Sequence, residues 1–225
     1  AVRRRFPDLT VHIDCNGAYT LDDLPMFRAL DEWGLAMIEQ PLGHDDLVDH
    51  ALLQAQLRTP ICLDESITSV DRARQAAEIG ACRWVNVKPG RVGGLTVAIT
   101  IHDLCAERGI PCWVGGMLES ALGQGYNMAL ATLPNFRYPA DIFPSRRFYV
   151  EDLAEPAIAL SGPSQATAPD RPGVGFSPHP ERLRAQTLRE PRQQQRVQRA
   201  GEHRHHREHQ IDGKADRHCR LAPQR

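Results

Sequence analysis

Four short apolar runs in this chain each end on a charged residue, and they do so at nearly constant intervals. Asp14 closes TVHID, Glu39 closes LAMIE, Asp64 closes PICLD and Lys88 closes VNVK, at steps of 25, 25 and 24 residues. A step of this length holds one strand, one helix and two loops, the unit of a parallel β/α barrel, and successive strand ends then fall side by side on one rim. A parallel strand covered on both faces is apolar throughout its length, so a charge at its carboxyl end points to a site and not to core. Singly, each of these charges could end a strand or form a rim salt bridge; their common period favours a site.

The segments between the runs fit the same plan. Strands are expected over 10–14, 36–39, 61–64, 84–87 and 111–114, with a short sixth over 139–143. Between them, the three-to-four spacing of Leu24, Phe27, Leu30 and Trp33 predicts a helix over 21–33, and further helices are expected over 46–57, 69–79, 95–106 and 122–133. Ser69 is placed to cap one of them and Gly34 and Gly80 to close two. Residues 1–160 therefore read as a partial (β/α)8-type, TIM-like barrel, 161–191 as an irregular closing segment rich in Pro and Gly, and 192–225 as a disordered basic tail.

The tail is set apart by charge as well as by pattern. It carries nine basic residues against four acidic ones, while the whole chain has a net charge of −1, so residues 1–191 are left at −6. A mildly acidic body has no electrostatic footprint for nucleic acid. The tail histidines, His203, His205, His206, His209 and His218, could capture a transition metal, but a solvated low-complexity tail accounts for them without one. No apolar run reaches the ~18 residues of a membrane helix. The six cysteines form no CxxC pair and lie mostly in apolar runs, which suits free thiols and a cytoplasmic location. The opening residues, AVRRRFPDL, read as a helix end and a turn, so the chain is expected to begin partway through a larger protein.

Three carboxylates on adjacent strand ends repel one another unless a cation sits among them. Oxygen ligands select a hard ion, Mg²⁺ or Mn²⁺, over zinc. Such an ion, holding a substrate carboxylate, stabilises the charge formed when the neighbouring carbon loses its proton. Lys88, on the next strand, stands where it could take that proton or shield that charge. The glycine run PGRVGG could cradle a phosphate, although a tight turn explains it and the Gly-Lys-Ser/Thr of a P-loop is absent.

Together DCNGAYTLDD, MIEQPL, LDESI, NVKPGRVGGL and GGMLES resemble the enolase superfamily, in particular its muconate lactonizing branch with the o-succinylbenzoate synthases and N-acylamino acid racemases. The resemblance spans about residues 1–191. It implies Asp14, Glu39 and Asp64 as ligands of Mg²⁺ or Mn²⁺ and Lys88 as the acid/base lysine of the sixth barrel strand, in keeping with the Lys base and Mg²⁺ general to that superfamily. It also implies Asn16 and Glu65 as polar neighbours of the metal ligands, and Gly115, Gly116 and Met117 as wall of the substrate pocket. Asn16-Gly17 can equally be a tight turn and Met117 core. The implied partner is a small-molecule carboxylate, with homo-oligomerisation open and neither nucleic acid nor membrane involved.

The implied reactions are dehydration to o-succinylbenzoate in menaquinone biosynthesis and racemisation of N-acylamino acids. The alternatives are an inactive fragment that retains metal binding and an unrelated phosphate-binding barrel. In the family a Lys-x-Lys pair lies on a strand upstream of Asp14, and a capping domain closes over the barrel; neither falls within these 225 residues. The six expected strands then correspond to barrel strands three to eight, and little turnover is expected from this chain alone. Ala121 stands where the family has glycine.

Overall fold

The computed structural model of the chain describes residues 2–187. The tail expected over 192–225, with its histidines, lies outside the described residues. After the short helix α1 (Val2–Arg5), strands and helices alternate: β1 (Ile13–Asp14), α2 (Leu24–Asp31), β2 (Ile38–Glu39), α3 (Leu47–Gln56), β3 (Ile61–Leu63), α4 (Val70–Glu78), β4 (Trp84–Val87), the one-turn α5 (Pro89–Val92), α6 (Leu95–Glu107), β5 (Cys112–Val114) and α7 (Ala121–Ala131). The five strands form one parallel sheet in chain order, the arrangement of a partial TIM-like barrel.

Helix starts are set by local polar chemistry. Asp46 accepts from Asp49 N at 2.9 Å and caps α3, and Ser69 accepts from Arg72 N at 3.2 Å and caps α4. Gly34 and Gly80, at φ +61° and +69°, turn the chain out of α2 and α4 through the left-handed region. The helix expected over 21–33 is shorter. A 3₁₀ turn (Leu21–Asp23) precedes α2, and Trp33 lies beyond the helix and is exposed.

Strand alternation divides the interior in two. Ile38, Ile61, Leu63, Val85, Val87, Cys112 and Val114 join the main core with Phe27, Leu53, Ala76 and Ile101 of the helices. Their neighbours Met37, Cys62 and Trp113 form a separate cluster, flanked by Trp84 and Tyr138. The register pairs Asp14 with Glu39, Glu39 with Cys62, Cys62 with Trp84, and Asn86 with Trp113. The charged strand ends thus stand on the same face as this small aromatic cluster.

The sixth strand expected over 139–143 does not form. Arg137 N donates to Cys112 O at 2.8 Å, and the next donor in a regular ladder would be residue 139, which is proline and has no N–H. Asp141 N instead reaches Val114 O, at 2.9 Å. Further on, β6 (Ala154–Glu155) and β7 (Ser177–Pro178) pair antiparallel, so the segment expected to be irregular contains a paired strand. A second small core, Ala121, Met128, Ala154 and Ile158, has Phe176 packed against it. The chain divides after His179; among the described residues the second unit contributes the helix α8 (Pro180–Gln186).

Candidate active site

Asp14 and Glu39 end adjacent strands as Cα partners, and Asp64 follows β3. Asp14 is exposed, whereas Glu39 and Asp64 are 2% and 0% exposed. Asn16, in the left-handed region at φ +45°, donates from its backbone N to Asp14 Oδ1 at 3.0 Å and from Nδ2 to Oδ2 at 2.9 Å. The same Nδ2 lies 3.4 Å from Glu65 Oε1, and Glu65 Oε2 is buried without a hydrogen-bond partner.

Asp64 is held by two cations. Lys88 Nζ donates to its Oδ2 at 2.8 Å, and the Arg91 guanidinium spans both oxygens, with Nη2 3.3 Å from Oδ2. The backbone N–H of Asp64 donates to Gln40 Oε1 at 3.0 Å, and Gln40 Nε2 donates to Ser66 Oγ at 2.8 Å and to Leu42 O at 3.0 Å. Gln40 itself is fully buried at φ +35°, so its amide ties the end of β2 to the end of β3 from a conformation uncommon outside glycine.

Glu39 is a carboxyl under both burial and like-charge pressure. Burial first, then the charges of Asp14 and Asp64, push its carboxyl up to about 8, against a hydrogen bond from Asn86 and the charge of Lys88. Asn86 Nδ2 donates to Glu39 Oε1 at 2.7 Å. Beside it, burial, then the charges of Asp14 and Glu39, raise the Cys15 thiol to about 11.

Of the expected pocket residues, Gly115 and Gly116 are required by close approach. A Cβ on Gly115 would come within 2.2 Å of Asn86 Oδ1 and 2.6 Å of Lys88 Cε, and one on Gly116 within 2.0 Å of Asp141 O. Met117 is exposed and not core, with its N–H on Glu119 Oε2 at 2.6 Å. PGRVGG is a one-turn helix followed by Gly93 and Gly94 at φ +101° and +113°, and its arginine faces Asp64. The backbone conformation accounts for this glycine pair, in keeping with the turn reading.

Asn86, Arg91, Gln40, His12 and Tyr138 were not among the residues expected at the site. Asn86 had a signal, since it lies two residues before Lys88 and hence on the same strand face.

Among the described residues, no three His, Cys, Asp or Glu side chains close around one point; Asp14 is turned to Asn16 and Asp64 to Lys88 and Arg91. The residues nevertheless fit a hard cation in chemistry. The donors are carboxylate oxygens, Glu39 is buried among like charges, and Glu65 Oε2 is left without a donor.

A parallel β/α sheet that gathers acids, a lysine and an arginine at the carboxyl ends of its strands defines an α/β-barrel domain with its polar site on that rim. The chain belongs to the enolase C-terminal domain-like family, whose model matches residues 1–182. It is 54% identical over 175 residues to an o-succinylbenzoate synthase of Geobacillus stearothermophilus, covering 78% of this chain and 46% of the relative. It is 50% identical over 184 residues to an N-succinylamino acid racemase of an Amycolatopsis species, covering 81% and 50%. A solved enolase-superfamily structure from Listeria innocua superposes with TM-score 0.78 at 44% identity, over 82% of this chain and 49% of that one. The chain spans about half the length of these relatives.

Proposed function

We propose that this chain carries the acid–base residue and the cation ligands for removing a proton from the carbon next to a carboxylate, with N-succinylamino acids or the precursor of o-succinylbenzoate as the substrate class. The observation that carries the proposal is the pairing of Lys88 Nζ with Asp64 Oδ2 at 2.8 Å, on the rim that also holds Glu39 and Asp14. The names of the relatives at 54% and 50% identity support the choice of substrates.

Asp14, Glu39 and Asp64 would hold Mg²⁺ or Mn²⁺, which when bound supplies positive charge to a substrate carboxylate and to the charge that develops beside it. A lysine takes a proton as the free amine and returns it as the ammonium. Asp64 fixes the direction of the Lys88 side chain, and the missing side chain at Gly115 leaves room for its Cε. Asn86 holds one oxygen of Glu39, which keeps that carboxylate aligned despite its burial. Arg91, on the other side of Asp64, keeps a second positive charge at the rim.

One-sided proton removal is the step that Lys88 alone can support, so exchange is a better readout than turnover. The 225-residue chain with Mg²⁺ and an N-succinylamino acid in D₂O should exchange the α-proton of one enantiomer, followed by ¹H NMR, and Lys88→Ala should abolish the exchange. Equal exchange by Lys88→Ala would overturn the assignment.

A further inference from the structure

Beneath the rim, the second oxygen of Glu39 faces a group for which the proposed chemistry has no direct use. His12 lies just before the first strand, two residues from Asp14, and its Nε2 is 3.6 Å from Glu39 Oε2. Its other ring nitrogen, Nδ1, is 3.0 Å from the Tyr138 hydroxyl. We propose that Tyr138 and His12 form a positioning chain for Glu39: Tyr138 donates its O–H to His12 Nδ1, which leaves the ring proton on Nε2, pointing at the carboxylate.

Tautomer and packing both support this direction. A neutral imidazole has one donor and one acceptor nitrogen, and the bond made by one fixes the proton on the other. Burial, then the charges of Glu39 and Cys62, raise the Tyr138 phenol, so it keeps the proton it must donate. The rings are held by an aromatic cage. His12 meets Tyr138 edge-on at 5.5 Å between centroids and Trp113 at 5.8 Å, while Tyr138 meets Trp84 at 5.9 Å and Trp113 at 6.0 Å. Asn86 occupies Glu39 Oε1 and His12 faces Oε2, so both oxygens are oriented and each retains a lone pair for a cation. A partner that orients a ligand in this way typically contributes about tenfold or more to metal affinity.

The inference rests on the proposed cation site, and the test separates the two. Mn²⁺ titration should show binding to the parent chain, about tenfold weaker binding to Tyr138→Phe and to His12→Leu, and no further loss in the double variant. His12→Gln, which keeps a donor, should recover most of the affinity. No binding to the parent chain would remove the cation site and this role with it; binding unchanged in Tyr138→Phe and His12→Leu would remove only the chain. Independently of any metal, ¹⁵N-resolved NMR of the His12 ring should show the proton on Nε2, and a ring protonated on Nδ1 would overturn the proposal even if His12→Leu failed to fold.

Discussion

Asn86 and Glu39 stand 47 positions apart in the chain, yet the amide of one donates to the carboxylate of the other at 2.7 Å. The bond reaches from the fourth strand across the third to the second, and it is the closest donor to a carboxyl raised to about 8 by burial and by neighbouring charges. Asn86→Leu should cost about 1–3 kcal/mol, because a buried acceptor loses its partner. Asn86→Asp should cost more at pH 9, where Glu39 is ionised and the new carboxylate sets a like charge against it. Urea denaturation checks the order, and an aspartate variant more stable than the leucine variant would contradict it.

Gly115 sets how closely that pair and Lys88 can approach. Gly115→Ala should destabilise by about 1–3 kcal/mol through overpacking, because the added carbon meets Asn86 Oδ1 at 2.2 Å and Lys88 Cε at 2.6 Å. Combining it with Asn86→Ala should cost less than the sum of the two single changes, as expected of residues that share a contact. Strict additivity in a double-mutant cycle would show that the alanine is accommodated elsewhere.

Asp64→Asn removes the anion shared by Lys88 and Arg91 and a full ligand charge from the proposed cation site. Calorimetric titration with Mn²⁺ should show affinity lowered by ~10-fold or more. Equal affinity would take Asp64 out of the ligand set.

Away from the site, Asp31 predicts how stability depends on pH. Burial alone would raise its carboxyl, but hydrogen bonds from Thr59 N at 2.6 Å and Arg58 N at 3.1 Å outweigh burial and hold it at about 2. Its folded pKa lies below the unfolded value of ~3.9. The stabilisation is therefore complete above pH ~4 and is lost as the pH falls from there towards 2. Asp31→Ala should cost about 1.5–3 kcal/mol at pH 7, and its deficit relative to the parent should shrink on acidification. A deficit that stays constant down to pH 2 would assign the effect to packing.

The β/α repeat is legible in the sequence because a strand, a helix and two loops have a nearly fixed length, so Asp14, Glu39 and Asp64 recur at an even step. Asn86 was not among the expected site residues, although strand alternation puts it on the face of Lys88. Other features depend on contacts between strands that no local pattern encodes. Arg91 meets Asp64 across 27 positions and Tyr138 meets His12 across 126, and the stagger of the sheet decides both. The sixth strand failed for a local reason, the proline at 139, and apolar patterning outweighed that signal.

The two-sided use of each strand restricts how this site can be altered. Between Trp84 and Lys88, residues serve the helices and the rim in turn, with Val85 and Val87 in one core and Asn86 against Glu39. One residue inserted there would send valines to the rim and bury the asparagine and lysine under helices. Libraries that vary length within the strands should therefore yield unfolded chains, whereas residues added between Met117 and Leu118, which are both exposed, leave the alternation intact.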